Sequence, residues 1–317
     1  MPLIVEPRDW IYRRSRKNGE AAPIVVEQYK LVFFVVPQVA EIHFKRLLLR
    51  MLGQEDWKTR KYRRIQHEAF NEGLKYLSDY SLEAASEMMT SNEWTRAMFI
   101  RDPKERFVQA YTKSAVMDRA LLHGICCMTM PRMFCLRDTR TSAKLDAPNA
   151  TAFLEGIHIC KSTHWDPVTE RLSALMRLGL TPAQKAGFDK NYYLSNKYWR
   201  YINFIGSMDD AARDAKALLE RVGAWEQAGE SGWGDDGSES FFQSKDFIKE
   251  ELMVMQKLSE IIVDPDMERE VEDFYQSDYK HFNLTKKYVF SISGKTYIGK
   301  TKELQEMLKS VAVHREW

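Results

Sequence analysis

Leu31-Val-Phe-Phe-Val-Val-Pro-Gln-Val-Ala-Glu-Ile-His-Phe-Lys-Arg-Leu-Leu-Leu-Arg-Met-Leu-Gly53 is the stretch on which the fold turns. Its opening, Leu31 to Val36, is aliphatic and aromatic with no polar alternation. That pattern predicts a strand buried on both faces, the habit of a parallel α/β sheet. Pro37 ends the strand. Phe44, Leu47, Leu48, Met51 and Leu52 then recur at helical spacing, so an amphipathic helix follows, and its apolar stripe is core. Gly53 stops it. A buried strand that turns directly into a helix aims backbone N–H groups and a positive helix end at one spot, a natural phosphate cradle.

Two further units repeat the arrangement. Arg96 to Ile100 reads as a second buried strand, running through Arg101-Asp-Pro103 into a helix with Phe107, Ala110 and Tyr111 on one face. Tyr201 to Ile205 reads as a third, ended by Gly206, with Asp209 or Asp210 capping a helix that carries Ala211, Ala215, Leu218, Leu219 and Val222. Ser81 is placed to cap a helix over Leu82–Thr90. Residues 229–240 form a long loop, and helical patterns resume over 246–263 and 266–280. Residues 288–292 and 296–299 flank a Ser293-Gly294-Lys295 turn, a hairpin signal. Thr301 is placed to cap a last helix. Three strand–helix units with extra helices predict an α/β protein with a small parallel sheet, additional C-terminal helices and a β-hairpin. Residues 1–23 read as an arm or a short first strand, 24–285 as the main domain, and 286–317 as a hairpin and helix packed on it.

Composition narrows the function classes. The 317 residues are 44% hydrophobic, 12% aromatic and 29% charged, with only 15 Gly and 10 Pro. This excludes collagen-like and linker-like chains and provides for a substantial core. A net charge of +2 argues against a nucleic-acid coat and leaves room for a local anion site. The basic run over 58–64 reads as a solvated face or as a guide for an acidic glycan. The apolar run over 31–36 is far too short to span a bilayer, so the chain is expected to be soluble, without a targeting segment. Cys126, Cys127, Cys135 and Cys160 make no Cys-x-x-Cys pattern. Buried thiols are expected, or one or two disulfides if the chain is exported, and no metal site.

Five segments of the chain carry a resemblance to a known family. Arg101-Asp-Pro-Lys-Glu-Arg-Phe-Val-Gln-Ala-Tyr111 resembles the R-D-P-x-x-R-x-x-S-A-Y segment of Golgi-type carbohydrate sulfotransferases. Pro37-Gln-Val-Ala-Glu-Ile-His-Phe-Lys-Arg-Leu-Leu48 resembles their P-K-V-G-C-T-x-W-K-R-L-L loop. Cys160-Lys-Ser-Thr-His-Trp-Asp-Pro167 resembles C-x-x-x-H-W-x-P. The stretches His67 to Asp79 and Ala215 to Trp225 are similar to an algal and protist branch of the same family.

The resemblance implies a P-loop-like sulfotransferase fold. It also implies 3′-phosphoadenosine-5′-phosphosulfate (PAPS) as co-substrate, a carbohydrate or other hydroxyl as acceptor, and no nucleic-acid partner. Pro37, Gln38, Val39, Ala40, Glu41, Ile42, Lys45 and Arg46 fall on the 5′-phosphosulfate loop. Arg101 falls on the 3′-phosphate ligand, and Gln109 on the Ser that makes a second contact with that phosphate. His67 and His164 are the candidate general bases, one of which would take the acceptor's proton. Three of the departures from the pattern bear on the reaction: Gln38 replaces the Lys, Ile42 the hydroxyl, and Glu41 brings a carboxylate. Two readings follow, an enzyme with altered donor use or a binding protein of weak or absent activity. The implied compartment is the Golgi lumen where a membrane anchor precedes the chain, and otherwise the cytoplasm.

Overall fold

The computed structural model describes residues 23–61, 65, 73–112, 150–159, 165–169, 201–262, 265–285, 287–292 and 295–300. His67, His164, the four cysteines and the helix expected after Thr301 lie outside the described residues. Two compact units make up the chain. One takes Met1–Arg101 with Glu170–Lys249, the other Asp102–Thr169 with Glu250–Trp317. Among the described residues no helix is long and apolar enough to cross a membrane.

The first unit is built on a four-stranded sheet in the order β1-β2-β3-β4, with β1 Ile24–Val26, β2 Leu31–Phe34, β3 Thr95–Ile100 and β4 Phe204–Ser207. β2 pairs in parallel with β3, and β3 with β4, while β1 runs antiparallel to β2. The parallel core is the one expected, and a short antiparallel edge strand is added to it. Every residue of β1, β2 and β3 is buried, which is why they read as unbroken apolar runs.

Helix α1, Glu41–Met51, starts three residues before the apolar stripe does, because Glu41, Ile42 and His43 form its first turn. Phe44 ties it down. Its ring lies 4.7 Å from Phe33 on β2, 4.5 Å from Phe99 on β3, and 5.0 Å from Phe242. Burying one such ring stabilises by about 1.5–3 kcal/mol, and each aromatic pair adds about 0.5–1.5 kcal/mol. The strand–helix unit is therefore held rigidly from below.

Some expectations need correction. The third strand begins at Phe204 rather than Tyr201, and Gly206 lies inside it rather than ending it. A Cβ at Gly206 would sit 2.4 Å from the Phe99 ring, so glycine is needed for strand contact. β4 is an edge strand, which leaves Ile205 44% exposed. Asp210 occupies the N-cap of the helix Ala211–Arg221 (α5 below) but makes no side-chain cap bond. Asp214 Oδ2 instead accepts the Ser207 N–H at 2.8 Å. Ser81 does cap α2, Leu82–Thr90, by accepting the Ala84 N–H. Arg60, read as solvated, is buried and paired with Asp56.

In the second unit α3 spans Pro103–Tyr111, α4 Ala150–Ile159, α7 Pro265–Phe274 and α8 Gln276–Phe282; α5, Ala211–Arg221, belongs to the first unit, and α6, Lys245–Ile261, begins in the first and ends in the second. The helix expected over 266–280 is split because Tyr275 leaves helical geometry between α7 and α8. Its buried hydroxyl donates to the Trp165 carbonyl. Phe107, Phe153, Trp165, Leu258, Val271 and Tyr275 belong to one apolar cluster. The hairpin is present as β5, Lys287–Ile292, against β6, Lys295–Lys300, in antiparallel register from Lys287↔Lys300 to Ile292↔Lys295.

Candidate functional site

Parallel register sets where a ligand is received. Phe34 pairs with Met98, and Ile100 with Ser207, so β2, β3 and β4 end at one edge of the sheet. The 35–40 loop and Arg101 both leave from that edge. In open α/β sheets ligands bind beyond the carboxyl ends of the strands.

The loop is buried and sharply turned. Val35 and Val36 stay in the core past the end of β2, and the Val36 carbonyl accepts the Val39 N–H at 3.1 Å. Gln38 (φ 68°) and Ala40 (φ 44°) are both left-handed. Such geometry costs an L-residue about 1–2 kcal/mol and is natural to glycine. Ala40 stands where the resembled pattern has glycine, so the loop keeps the glycine conformation without the glycine. Ala40→Gly should therefore stabilise the fold by about 0.5–1 kcal/mol in chemical denaturation; a loss of stability would show that the left-handed turn carries no strain.

Ala40 is also the N-cap of α1, and it offers no side-chain acceptor. The first-turn N–H groups of a helix have no intrahelical partner, and its N-terminus carries about half a positive charge. A helix end with no side-chain cap, opening from a tight loop, fits a phosphate or sulfate group. Pro37, Val39 and Ile42 are buried and shape the turn; Arg46 is half-buried.

Glu41 and Lys45 form an ion pair along α1, Lys45 Nζ to Glu41 Oε1 at 2.7 Å. Arg101 is buried directly after β3.

The Asp-Pro that follows Arg101 is a helix start. Asp102 is the N-cap of α3, its Oδ1 accepting the Lys104 N–H at 2.9 Å, and Pro103 takes the first helical position. Lys104 is fully buried between Glu272, at 2.7 Å, and Glu268. Gln109 is buried on the same helix, two turns on.

Three side chains clamp the stretch Trp165–Thr169. Arg106 Nη1 donates to the Asp166 carbonyl at 2.6 Å. Tyr275 donates to the Trp165 carbonyl. Asp278 accepts the Val168 N–H at 2.6 Å, the Thr169 N–H at 2.8 Å and the Thr169 hydroxyl at 2.7 Å. Burial pushes the Asp278 carboxyl up, against the pull of Arg106 and these donors. The stretch Trp165–Thr169 is thus fixed from α3, from Tyr275 and from α8.

The sequence reading thus brings residues 37–46 and Arg101 to one sheet edge. It missed the Glu41–Lys45 pair, although Glu followed by Lys at i, i+4 is a recognised helix pairing. It also missed the clamp by Tyr275 and Asp278, which are more than a hundred residues away in sequence. A cavity of about 410 Å³ opens beside Tyr29, Arg50, Trp57 and Gln227, at the far end of α1 from the loop. The Arg50 guanidinium is taken up structurally, lying 5.0 Å from the Trp57 ring centre and donating to the Ala228 carbonyl at 3.1 Å. Among the described residues no group of His, Cys, Asp or Glu is arranged to hold a metal.

The chain is 22% identical over 267 residues to human carbohydrate sulfotransferase 9, covering 82% of this chain and 52% of the relative. It therefore spans about half the length of the curated relative it matches. No solved structure matches. The family model described as "Sulfotransferase family" matches residues 23–285, a span that runs from β1 past α8 and takes in both the α1 loop and Arg101. On that match, the chain belongs to the sulfotransferase family.

Proposed function

We propose that the chain transfers a sulfuryl group from PAPS to a hydroxyl, with a carbohydrate as the acceptor. The supporting observation is the convergence, at one sheet edge, of a helix N-terminus without a side-chain cap and the buried Arg101. The donor brings an activated sulfuryl group and several phosphate charges. The α1 N–H groups, with Lys45 and Arg46, hold its 5′ end. Arg101 holds the 3′-phosphate as a charged fork. Gln109, from its place in the motif, adds an amide donor to that phosphate. His67 or His164 takes the proton of the acceptor hydroxyl. The compartment that accompanies this reading is the Golgi lumen.

The test is transfer of labelled sulfate from PAPS to a broad panel of glycans. Labelled product supports the reading. A second reading, a nucleotide- or glycan-binding relative without useful turnover, is favoured by one feature: neutral Gln38 stands where a lysine would balance leaving-group charge. Tight nucleotide binding with no labelled glycan would select it.

A further inference from the structure

The Glu41–Lys45 pair joins the first turn of α1 to the second. Three effects favour it. Glu41 lies at the positive end of α1, where a carboxylate is stabilised. Lys45 follows at i+4, the better orientation for such a pair. Both side chains are buried, Lys45 at 1% and Glu41 at 8% exposure, so water screens the attraction little.

The pair is electroneutral, and it stands where the resembled pattern has an uncharged residue at position 41. Resting on the donor reading above, we infer that Glu41 is the determinant that lowers donor affinity, by neutralising Lys45 one turn into α1. A nucleotide phosphate docking on α1 meets backbone donors and a helix dipole, but a lysine whose charge is already matched. Glu41 does not act as a bare repelling charge, because Lys45 covers it. It acts by subtraction, removing the Lys45 charge from those the donor can draw on.

The inference makes a charge ladder. Counting the two positions together, the parent has net zero, Glu41→Gln has +1, Lys45→Met has −1, and the double variant returns to zero. Affinity for adenosine 3′,5′-bisphosphate, read by calorimetric titration, should follow that ladder. Glu41→Gln should bind about tenfold tighter than the parent, and Lys45→Met about tenfold weaker. The double variant should fall near the parent. Thermal unfolding of each form checks that it is folded. If Glu41→Gln is too unstable to titrate, because it leaves a buried charge, the double variant against Lys45→Met supplies the same comparison, again about tenfold. Equal affinities in all four forms, with the parent binding, would overturn the inference and leave the donor reading standing. A parent and variants that all fail to bind would remove the donor reading and this inference with it.

Discussion

Gln38→Lys combined with Ile42→Thr is expected to raise sulfuryl transfer about 10²-fold. Gln38 lies at a left-handed position of the buried turn between β2 and α1, and Ile42 in the first turn of α1. The backbone donors of that turn do not depend on side-chain identity, so binding of the desulfonated nucleotide should change far less than the rate. A lysine at 38 adds a cation where negative charge develops on the leaving group, and a hydroxyl at 42 adds a hydrogen bond beside it. Contacts that strengthen in the transition state raise turnover rather than ground-state affinity. The check is kcat for transfer to a responsive acceptor, with nucleotide affinity measured alongside. A double variant that binds nucleotide like the parent and transfers no faster would show that the turn does not face the reacting bond.

Arg101→Ala is expected to weaken nucleotide binding by about 1.5–3 kcal/mol, the usual worth of a hydrogen bond to a charged group. That is roughly a 10- to 150-fold loss of affinity. Arg101 is buried at the end of β3, on the same sheet edge as the α1 loop, so a 3′-phosphate there would meet it in a site shielded from water. Lysine keeps the charge but loses the planar fork, so Arg101→Lys should recover only part of the loss. Unfolding curves separate a binding defect from a folding one. Affinity unchanged in a folded Arg101→Ala protein would remove Arg101 from the donor site.

What could be read from the sequence depended on whether the signal was local. β2, β3 and α1 were legible because burial on both faces writes continuous apolar runs, and a one-sided helix writes a 3.6-residue stripe. β4 was misplaced because an edge strand lacks that continuity, and its Gly206 serves contact with Phe99 rather than a turn. β1 is only three residues long, too short to show a period. The break at Tyr275 was illegible because the local pattern carries no sign of it, and its hydroxyl's partner, the Trp165 carbonyl, is distant in sequence. The loop and Arg101 were singled out by motif and spacing. That Glu41 is covered by Lys45 required the structure, since the sequence permits the carboxylate to face either the donor or its own helix.

The central claim is that the edge shared by β2 and β3 is a donor site for a 3′-phosphorylated adenine nucleotide. Calorimetric titration of the parent chain with adenosine 3′,5′-bisphosphate, set against adenosine 5′-monophosphate, tests it most directly. The account predicts 1:1 binding of the bisphosphate, tighter than the monophosphate by about tenfold or more, because the 3′-phosphate meets Arg101. Equal affinity for the two, or no binding of either, would contradict it.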